Sequence, residues 1–309
     1  MSRVDLHSPA ECSAFQTFAP LEFSHKRFFL IQIRRFAYRF RDNHPFLSQK
    51  TLSKITEYKV RISRNQLRVN GRKVKKAKSI YVKSDFLQEF LSTWGKQVSA
   101  KVLVSGGSDT NFDKSLELPP SIKLALIQNC SLKNHKVIRT LPIGLEDLHL
   151  GRSGLKKYHK HSDSVMIENR VWVPPMSNTN PIRRSTIIEC MMKPKIFDVS
   201  VGLMHEDEYY LMCKKYRFIL CLEGNGHENH RIWETLYQGS FPILLRTRWS
   251  KSLEYLDLPI LIVNSIDEVN IKLLEDFRFN NQYFRAVERN NLWVPFWEKI
   301  VKEYSSLEG

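Results

Sequence analysis

The side chains best suited to chemistry in this chain lie within one short stretch, between Glu223 and Glu234. The stretch opens with a glycine-bearing turn and continues as a segment of helix length that carries His230 and Arg231. Histidine and arginine donate hydrogen bonds to phosphate, whereas a carboxylate accepts them from hydroxyl groups. Because a carboxylate repels a neighbouring phosphate, Glu234 is predicted to bind a different part of the same ligand, and a ribose diol is the natural candidate.

The flanking residues have the pattern of a βαβ unit. Apolar runs at residues 218–222 and 241–245 predict two buried parallel strands, and Asn229 and Gly239 have the types expected before and after a helix. The loop after the first strand then lies at the carboxyl edge of the sheet, where open α/β folds bind ligands, and the helix N-terminus offers N–H groups to phosphate. A solvated surface helix in an α/β protein without a ligand at this place remains the alternative.

Further apolar runs predict strands that alternate with helices along the rest of the chain. The predicted strands are at residues 80–82, 101–104, 124–128, 137–141 and 261–263, and the second domain opens with the apolar residues Val171-Trp172-Val173. Such alternation is typical of parallel sheets in α/β proteins. The length of 309 residues suits two domains, the polar and basic residues 155–170 suit a linker, and residues 292–304 predict an amphipathic terminal helix.

Two groups of residues resemble the exostosin-like glycosyltransferases, a family with the GT-B fold. The first group lies in the stretch described above: Asn225-Gly226, His230-Arg231, Trp233-Glu234, Tyr237, Gly239 and Pro242-Ile243. The second lies upstream, at residues 81–85, 102–109, 128–129 and 141–145. The chain departs from the family pattern at Glu228-Asn229, where Asp or Thr usually precedes the His-Arg pair, and at Gly106-Gly107, where relatives usually have His-Asn.

This resemblance implies an α/β, GT-B-like fold, in which two Rossmann-like domains with parallel sheets face each other across a cleft. Residues 1–168 would form the N-terminal, acceptor-side domain with a basic helical opening, and residues 169–309 the nucleotide-sugar-binding domain, whose last helix would return to the first. The implied activity is metal-independent transfer of a sugar from a nucleotide-diphospho-sugar, as co-substrate, to a glycan or lipid-linked acceptor. A nucleotide-sugar epimerase or hydrolase of the same fold, or a basic nucleic-acid-binding protein, remains the alternative.

The donor-binding residues implied by the resemblance are Arg183, Arg184, Glu223, Gly224, Asn225, Gly226, His230, Arg231 and Glu234. The two arginines follow a proline turn at a predicted helix start, where an arginine can brace a diphosphate with two parallel hydrogen bonds. A solvated basic turn is equally compatible with those two residues alone.

Asp109 is the predicted catalytic base. It follows the strand predicted at residues 101–104 and a Gly-Gly turn, and inversion by direct displacement would require such a carboxylate on the acceptor side. An aspartate that caps a turn is the competing interpretation. Asp113 and Glu117 lie near enough in sequence to replace Asp109, and transfer with retention would need no such base.

Composition narrows the environment of the protein. No apolar run approaches the roughly 18 residues that span a bilayer, and the N-terminus has no charged-then-apolar signal pattern. The five cysteines are odd in number and have no CxxC spacing, which predicts reduced, mostly buried thiols in a cytoplasmic protein. The histidines and cysteines show no spacing typical of a metal site, so no metal is predicted.

The basic residues are concentrated near the N-terminus. The segment from His25 to Lys83 holds 18 lysines and arginines but only two acids, so it carries the whole net charge of +16. A basic amphipathic helix within it, with Phe29, Ile33, Phe36 and Phe40 on one stripe, suits an anionic membrane or a nucleic acid, although burial of the stripe in a domain core is favoured. Nucleic acid is disfavoured because no zinc-finger, RNP or helix-turn-helix pattern occurs. We therefore expect a cytoplasmic enzyme attached peripherally to the inner face of a membrane.

Overall fold

Two five-stranded parallel sheets organise the chain in this computed structural model. The structure describes residues 33, 36–38, 41–114, 116–132, 137–150, 154, 167–176, 180, 183–202 and 204–307. Two parallel sheets, each combined with helices, make the α/β, GT-B-like architecture that the sequence predicts, and this prediction of the fold class is confirmed. The domain boundary between residues 168 and 169 stays a prediction.

The first sheet has its strands in sequential order, β1-β4-β5-β6-β7. These strands are β1 (Tyr58–Lys59), β4 (Ser79–Lys83), β5 (Val102–Gly106), β6 (Leu124–Ile127) and β7 (Ile138–Thr140). An antiparallel hairpin, β2 (Arg61–Ser63) and β3 (Gln66–Arg68), follows β1. The helices are α1 (Gln49–Leu52), α2 (Gly71–Lys76) and α3 (Leu87–Trp94). Every residue of β5 and β6 is buried, as expected for central strands that are covered on both faces.

The second sheet has the order β9-β8-β10-β11-β12, so the strand order reverses beside β8. Its strands are β8 (Ile167–Val173), β9 (Phe197–Val199), β10 (Tyr216–Leu220), β11 (Phe241–Leu245) and β12 (Leu261–Val263). The accompanying helices are α4 (Arg184–Met191), α5 (Glu206–Lys215), α6 (His230–Tyr237), α7 (Arg248–Ser252) and α8 (Ile271–Asn280). Open α/β sheets bind ligands outside the carboxyl ends of their strands at such a reversal, which here lies between β8 and β10.

The predicted βαβ unit is confirmed with small shifts in its boundaries. β10 and β11 pair in parallel, and β10 begins and ends two residues earlier than predicted. Asn229 occupies the N-cap position of α6, and Gly239 has a φ of 80°, a left-handed conformation that suits glycine after a helix. Leucine, isoleucine and tryptophan side chains of α6 pack in a core that contains residues of both sheets, and Trp233 is fully buried there.

Other predictions fall partly outside the described residues. Most of the basic helical opening and Cys12 lie outside the described residues. The four described cysteines are free and buried. Burial of the aromatic stripe is wrong for its two described members, since Ile33 and Phe36 are 48% and 75% exposed. Among the described residues, no helix is both long enough and apolar enough to cross a bilayer.

The terminal helix α9 (Val294–Ser305) contacts both α1 and β5, which belong to the first sheet and its helices. The backbone N–H of Val294 donates to the carbonyl of Pro45 over 2.9 Å, and Arg139 donates to the hydroxyl of Tyr304 over 2.9 Å. Trp297 is 1% exposed in the shared core. The end of the chain therefore connects the second sheet to the first sheet and its helices.

Candidate functional site

A cavity of about 450 Å³ opens at the strand-order reversal of the second sheet. Its walls come from the loops that follow β8, β9 and β10, from the N-terminal half of α5 and from the first turns of α6. The lining residues are Pro175, Met176, Gly202, Met204, Glu206, Tyr209, Tyr210, Leu222, Gly224, Asn229, His230, Arg231 and Glu234. Four of the predicted donor-binding residues, Gly224, His230, Arg231 and Glu234, are therefore brought together in one cavity.

The N-terminus of α6 faces this cavity without a side-chain cap. The side-chain amide of Asn229 donates to the carbonyl of Leu222 over 2.6 Å, and no side-chain oxygen of Asn229 accepts from the helix. That oxygen, Oδ1, is buried and has no hydrogen-bond partner within the described structure. The first-turn N–H groups thus lack the acceptor that an N-cap residue usually supplies, and a phosphate oxygen would satisfy the same groups.

Glu234 lies one turn into the helix and is 4% exposed. Its two carboxylate oxygens accept hydrogen bonds from the hydroxyls of Tyr209 and Tyr210, over 2.9 and 3.0 Å. Burial raises the pKa of Glu234 above its ordinary value, although His230, Arg231 and the two tyrosines favour the charged form. A carboxylate has about four acceptor sites, so room for ligand hydroxyls remains beside the tyrosines.

Arg231 and His230 form different contacts within the protein. Arg231 donates to the carbonyl of Pro175 over 3.0 Å, and its guanidinium lies 5.8 Å from the centre of the Tyr209 ring. The ring nitrogen Nδ1 of His230 lies 2.8 Å from the carbonyl oxygen of Gly144, which follows the first sheet. Arg231 therefore presents a braced cation to the cavity, whereas His230 also connects α6 to the first sheet.

The glycine-bearing loop after β10 is fixed from two sides. Glu223 forms an ion pair with Arg183, and burial alone would raise the pKa of Glu223, but hydrogen bonds from His227 and Arg183 lower it. A Cβ at Gly226 would lie 3.0 Å from the side-chain carboxamide of Asn129, so a larger residue would have to displace that side chain, and glycine suits this close approach of the loop to the first sheet. Arg183 and Glu223 neighbour the cavity and do not line it.

Arg184 is the first residue of α4. Asp109 is exposed after β5, and its carboxylate accepts from the side chain of Asn225 over 3.4 Å. The predicted acceptor-side carboxylate therefore lies beside the donor loop and outside the cavity wall.

Polar contacts that the sequence did not reveal join the loops of the two sheets. His227 lies with Nε2 2.9 Å from a carboxylate oxygen of Asp113, and its backbone N–H donates to Asn111 over 3.0 Å. Hydrogen bonding to Glu223 raises the pKa of His227 against the effect of burial, and Asp113 acts in the same direction. His227 thus binds carboxylates from both sides of the cleft.

Glu228 is a second junction of this kind, and it is 3% exposed. One of its oxygens accepts from the backbone N–H of Ile143 over 2.8 Å and from the indole of Trp233 over 2.7 Å. The other oxygen is buried without a partner among the described residues, and burial raises the pKa of this carboxyl to about 8. Glu228 therefore holds a proton at neutral pH inside the interface.

The tyrosines and the bridging residues were missed for one reason. Tyr209 and Tyr210 lie 25 and 24 residues before Glu234, and Asp113 lies 114 residues before His227. Nothing in the local spacing predicts such contacts. The only signal for His227 and Glu228 is their place in the loop between a predicted strand and a predicted helix. The described residues contain no group of three or more His, Cys, Asp or Glu side chains arranged to hold a metal ion.

Comparisons with known proteins give likenesses of fold only. No protein-family model and no curated protein matches the sequence. Similar solved structures include an alpha1,3-fucosyltransferase (TM-score 0.37, 11% identity, 68% of this chain and 78% of that chain) and a GtfA/B complex (0.36, 11%, 74% and 57%). A third is a Listeria monocytogenes protein assigned as a UDP-N-acetylglucosamine 2-epimerase (0.31, 10%, 74% and 72%). Likenesses this distant carry no argument about activity, and membership of the exostosin-like family stays a prediction.

The proton on Glu228 predicts a pH-dependent effect of the neutral substitution Glu228→Gln. A glutamate with a folded pKa of about 8 and an ordinary unfolded pKa near 4.3 destabilises the fold progressively between these values, because the unfolded state ionises first. The variant does not titrate, so its unfolding free energy relative to wild type should rise by about 2 kcal/mol or more from pH 5 to pH 8 and then level off.

Thermal or urea unfolding across this pH range measures the effect. Glu189→Gln, the same substitution on the exposed face of α4, is the matched control and should show no such trend. A difference between Glu228→Gln and wild type that does not vary with pH would contradict a protonated Glu228.

Proposed function

We propose that the chain is a glycosyltransferase that binds a nucleotide-diphospho-sugar in the cavity at the second sheet. The observation that carries this proposal is the combination of an uncapped helix N-terminus, the braced cation of Arg231 and the buried carboxylate of Glu234 in one cavity of about 450 Å³. A diphosphate suits the first two and a ribose diol suits the third. The cavity also lies at the strand-order reversal, where α/β sheets bind nucleotides.

Glycosyl transfer requires stabilisation of the negative charge that develops on the leaving diphosphate. In the proposed mechanism, the N–H groups of α6 and the guanidinium of Arg231 supply it, with Arg183 and Arg184 as further cations from the start of α4. Arg183 is paired with Glu223, so it would act on the donor through this loop or after exchanging partners. These residues would act without a metal ion, and metal independence is part of the proposal.

The acceptor is proposed to be a glycan, free or linked to lipid, that approaches from the first sheet. Its attacking hydroxyl must lose a proton, and Asp109 is the proposed base for an inverting reaction. Its exposure and its contact with Asn225 support this role, because both leave the carboxylate next to the donor loop and open to an acceptor. The proposed family is the exostosin-like glycosyltransferases of GT-B fold.

Two other functions use the same observations differently. An epimerase or hydrolase would bind the same donor but transfer nothing, and a profile of products from a panel of nucleotide-sugars separates these from a transferase. A nucleic-acid-binding protein would rely on the basic charge alone. A thermal-shift screen of nucleoside diphosphates is the first test. No stabilisation by any of them, together with firm, salt-sensitive binding of RNA, would contradict the enzyme proposal.

The Glu234→Gln variant tests the donor-binding assignment. The substitution keeps the size of the side chain but removes the charge that the ribose hydroxyls would use, so nucleoside diphosphate binding should weaken by about 1–3 kcal/mol. Glu206→Gln, the same change in another residue of the cavity wall, should not weaken binding. Calorimetric titration of both folded variants provides the measurement, and unchanged affinity of Glu234→Gln would refute the assignment.

The Asp109→Asn variant tests the proposed base. Loss of a general base should lower kcat by about 10²–10⁴-fold, while donor affinity should stay the same because Asp109 lies outside the cavity wall. Glu117→Gln is the comparison, since Glu117 is exposed in the same loop region. Steady-state transfer rates decide between them: an unchanged kcat for Asp109→Asn would remove Asp109 from the mechanism, and a loss in Glu117→Gln alone would move the base.

Peripheral attachment to an anionic membrane on the cytoplasmic side is proposed because the net charge of +16 resides in residues 25–83. A small uncharged acceptor would not require so large a field of one sign. In a flotation assay with phosphatidylglycerol vesicles, the protein should bind at low salt and be released near 1 M salt, where the screening length is about 3 Å. Indifference to the vesicles at low salt, or binding unaltered by salt, would exclude electrostatic recruitment.

A further inference from the structure

A second cavity, of about 560 Å³, lies beside the first sheet, between the β2–β3 hairpin, α2 and the end of α3. Three cations line it, Arg61, Arg68 and Lys73, together with the aromatic rings of Tyr58 and Trp94. β1 starts at Tyr58, α2 leads into the start of β4, and α3 ends at Trp94 after running back from the end of β4. The cavity therefore lies at the amino edge of the first sheet, whereas the proposed donor cavity lies at the carboxyl edge of the second sheet.

The two arginines of this cavity oppose each other directly. Arg61 and Arg68 are partners in the antiparallel register of the hairpin, so their side chains leave the same face at neighbouring positions. Like charges at such positions destabilise a hairpin unless something neutralises them. Within the described residues, Arg61, Arg68 and Lys73 form no ion pair with a carboxylate. Residues 59–78 contain nine lysines and arginines but no acid. A bound anion would remove this repulsion.

The aromatic rings of Tyr58 and Trp94 form part of the wall beside the three cations. The hydroxyl of Tyr58 accepts from the backbone N–H of Asn70 over 2.8 Å, which ties β1 to the start of α2. Trp94 packs so closely on Gly71 that a Cβ there would lie 3.1 Å from the indole. The rings are thus held in place by the backbone beside them, and the half-buried indole offers an apolar face to the carbon skeleton of a ligand.

We propose that this cavity is a binding site for a phosphate ester. The phosphate lies between the guanidinium groups of Arg61 and Arg68, which match its oxygens with paired donors, and Lys73 adds a third cation. The polyol or sugar part of the ester lies against Trp94. The ester is either the headgroup of an anionic phospholipid or a soluble sugar or glycerol phosphate, because both offer the same chemistry to the site. The proposal stands independently of the donor cavity.

Calorimetric titration with glycerol 3-phosphate tests the site. The double variant Arg61→Gln/Arg68→Gln should bind at least about tenfold more weakly than wild type, as expected for losing charged hydrogen bonds. The control Arg64→Gln/Arg72→Gln removes the same charge from the same hairpin and helix but from residues outside the cavity wall, and should change the affinity less than about twofold. Equal losses in both variants, or no loss in the first, would overturn the proposal.

The same variants show whether the substitutions affect folding. In phosphate-free buffer the melting temperature of Arg61→Gln/Arg68→Gln should not fall, because the substitution removes a like-charge pair. Should this variant fail to fold, Arg61→Lys/Arg68→Lys keeps the charge without the paired donors and should still weaken binding, whereas full affinity there would count against the site.

Phosphatidylglycerol vesicles then distinguish the two sources. Weaker flotation of Arg61→Gln/Arg68→Gln than of the control identifies a lipid headgroup, and equal flotation with lost glycerol 3-phosphate binding identifies a soluble ester. Nucleoside diphosphate binding in this variant should match wild type. Failure of the donor proposal would appear instead as absent nucleotide binding in wild type, and the two proposals can fail separately.

Discussion

The loop between β10 and α6 is the constraint on which the rest of the site depends, because it must fit both sheets at once. On one side it packs under the first sheet through Gly226 against Asn129, and on the other it leads into the uncapped helix that lines the cavity. The protonated carboxyl of Glu228 accepts hydrogen bonds from N–H groups on both sides of this junction. Burying it in the neutral form avoids the larger cost of burying a charge. A displacement of this loop would therefore move the cavity-lining residues of α6 and break the contacts of the loop with the first sheet.

The elements of this site could be predicted from the sequence because their signals are local. Apolar runs at residues 218–222 and 241–245 predict strands that pair in parallel, and Gly239 predicts the end of α6 at the observed place. Side-chain function was less predictable. Asn229 has the residue type of a capping side chain, yet its amide nitrogen donates to the carbonyl of Leu222, and in this orientation its side-chain oxygen accepts no helix N–H.

The site residues that the sequence did not predict are held by long-range contacts. The tyrosines that hold Glu234 and the aspartate that holds His227 reach these residues only through the packing of α5 and of the loops after the first sheet. Spacing reports which residues share a helix face and says nothing about partners on another element. The exposure of Phe36 is a related case, since an aromatic stripe predicts burial only if a second element covers it.

Charge is divided between two places that require different geometry. At the cavity of the second sheet, two described cations are held by protein groups: Arg183 by Glu223, and Arg231 by the carbonyl of Pro175. At the amino edge of the first sheet they are many and lack carboxylate partners among the described residues, as the opposed Arg61 and Arg68 show. Held cations fix the geometry of one ligand at a reacting centre, because their positions are set before it binds. Unpaired cations gain more from any anion that neutralises them, which suits anchoring better than chemistry. The two cavities therefore differ in kind: the cations of the proposed donor cavity are held in place before a ligand binds, whereas the cavity at the amino edge would gain most from a ligand that neutralises its charge.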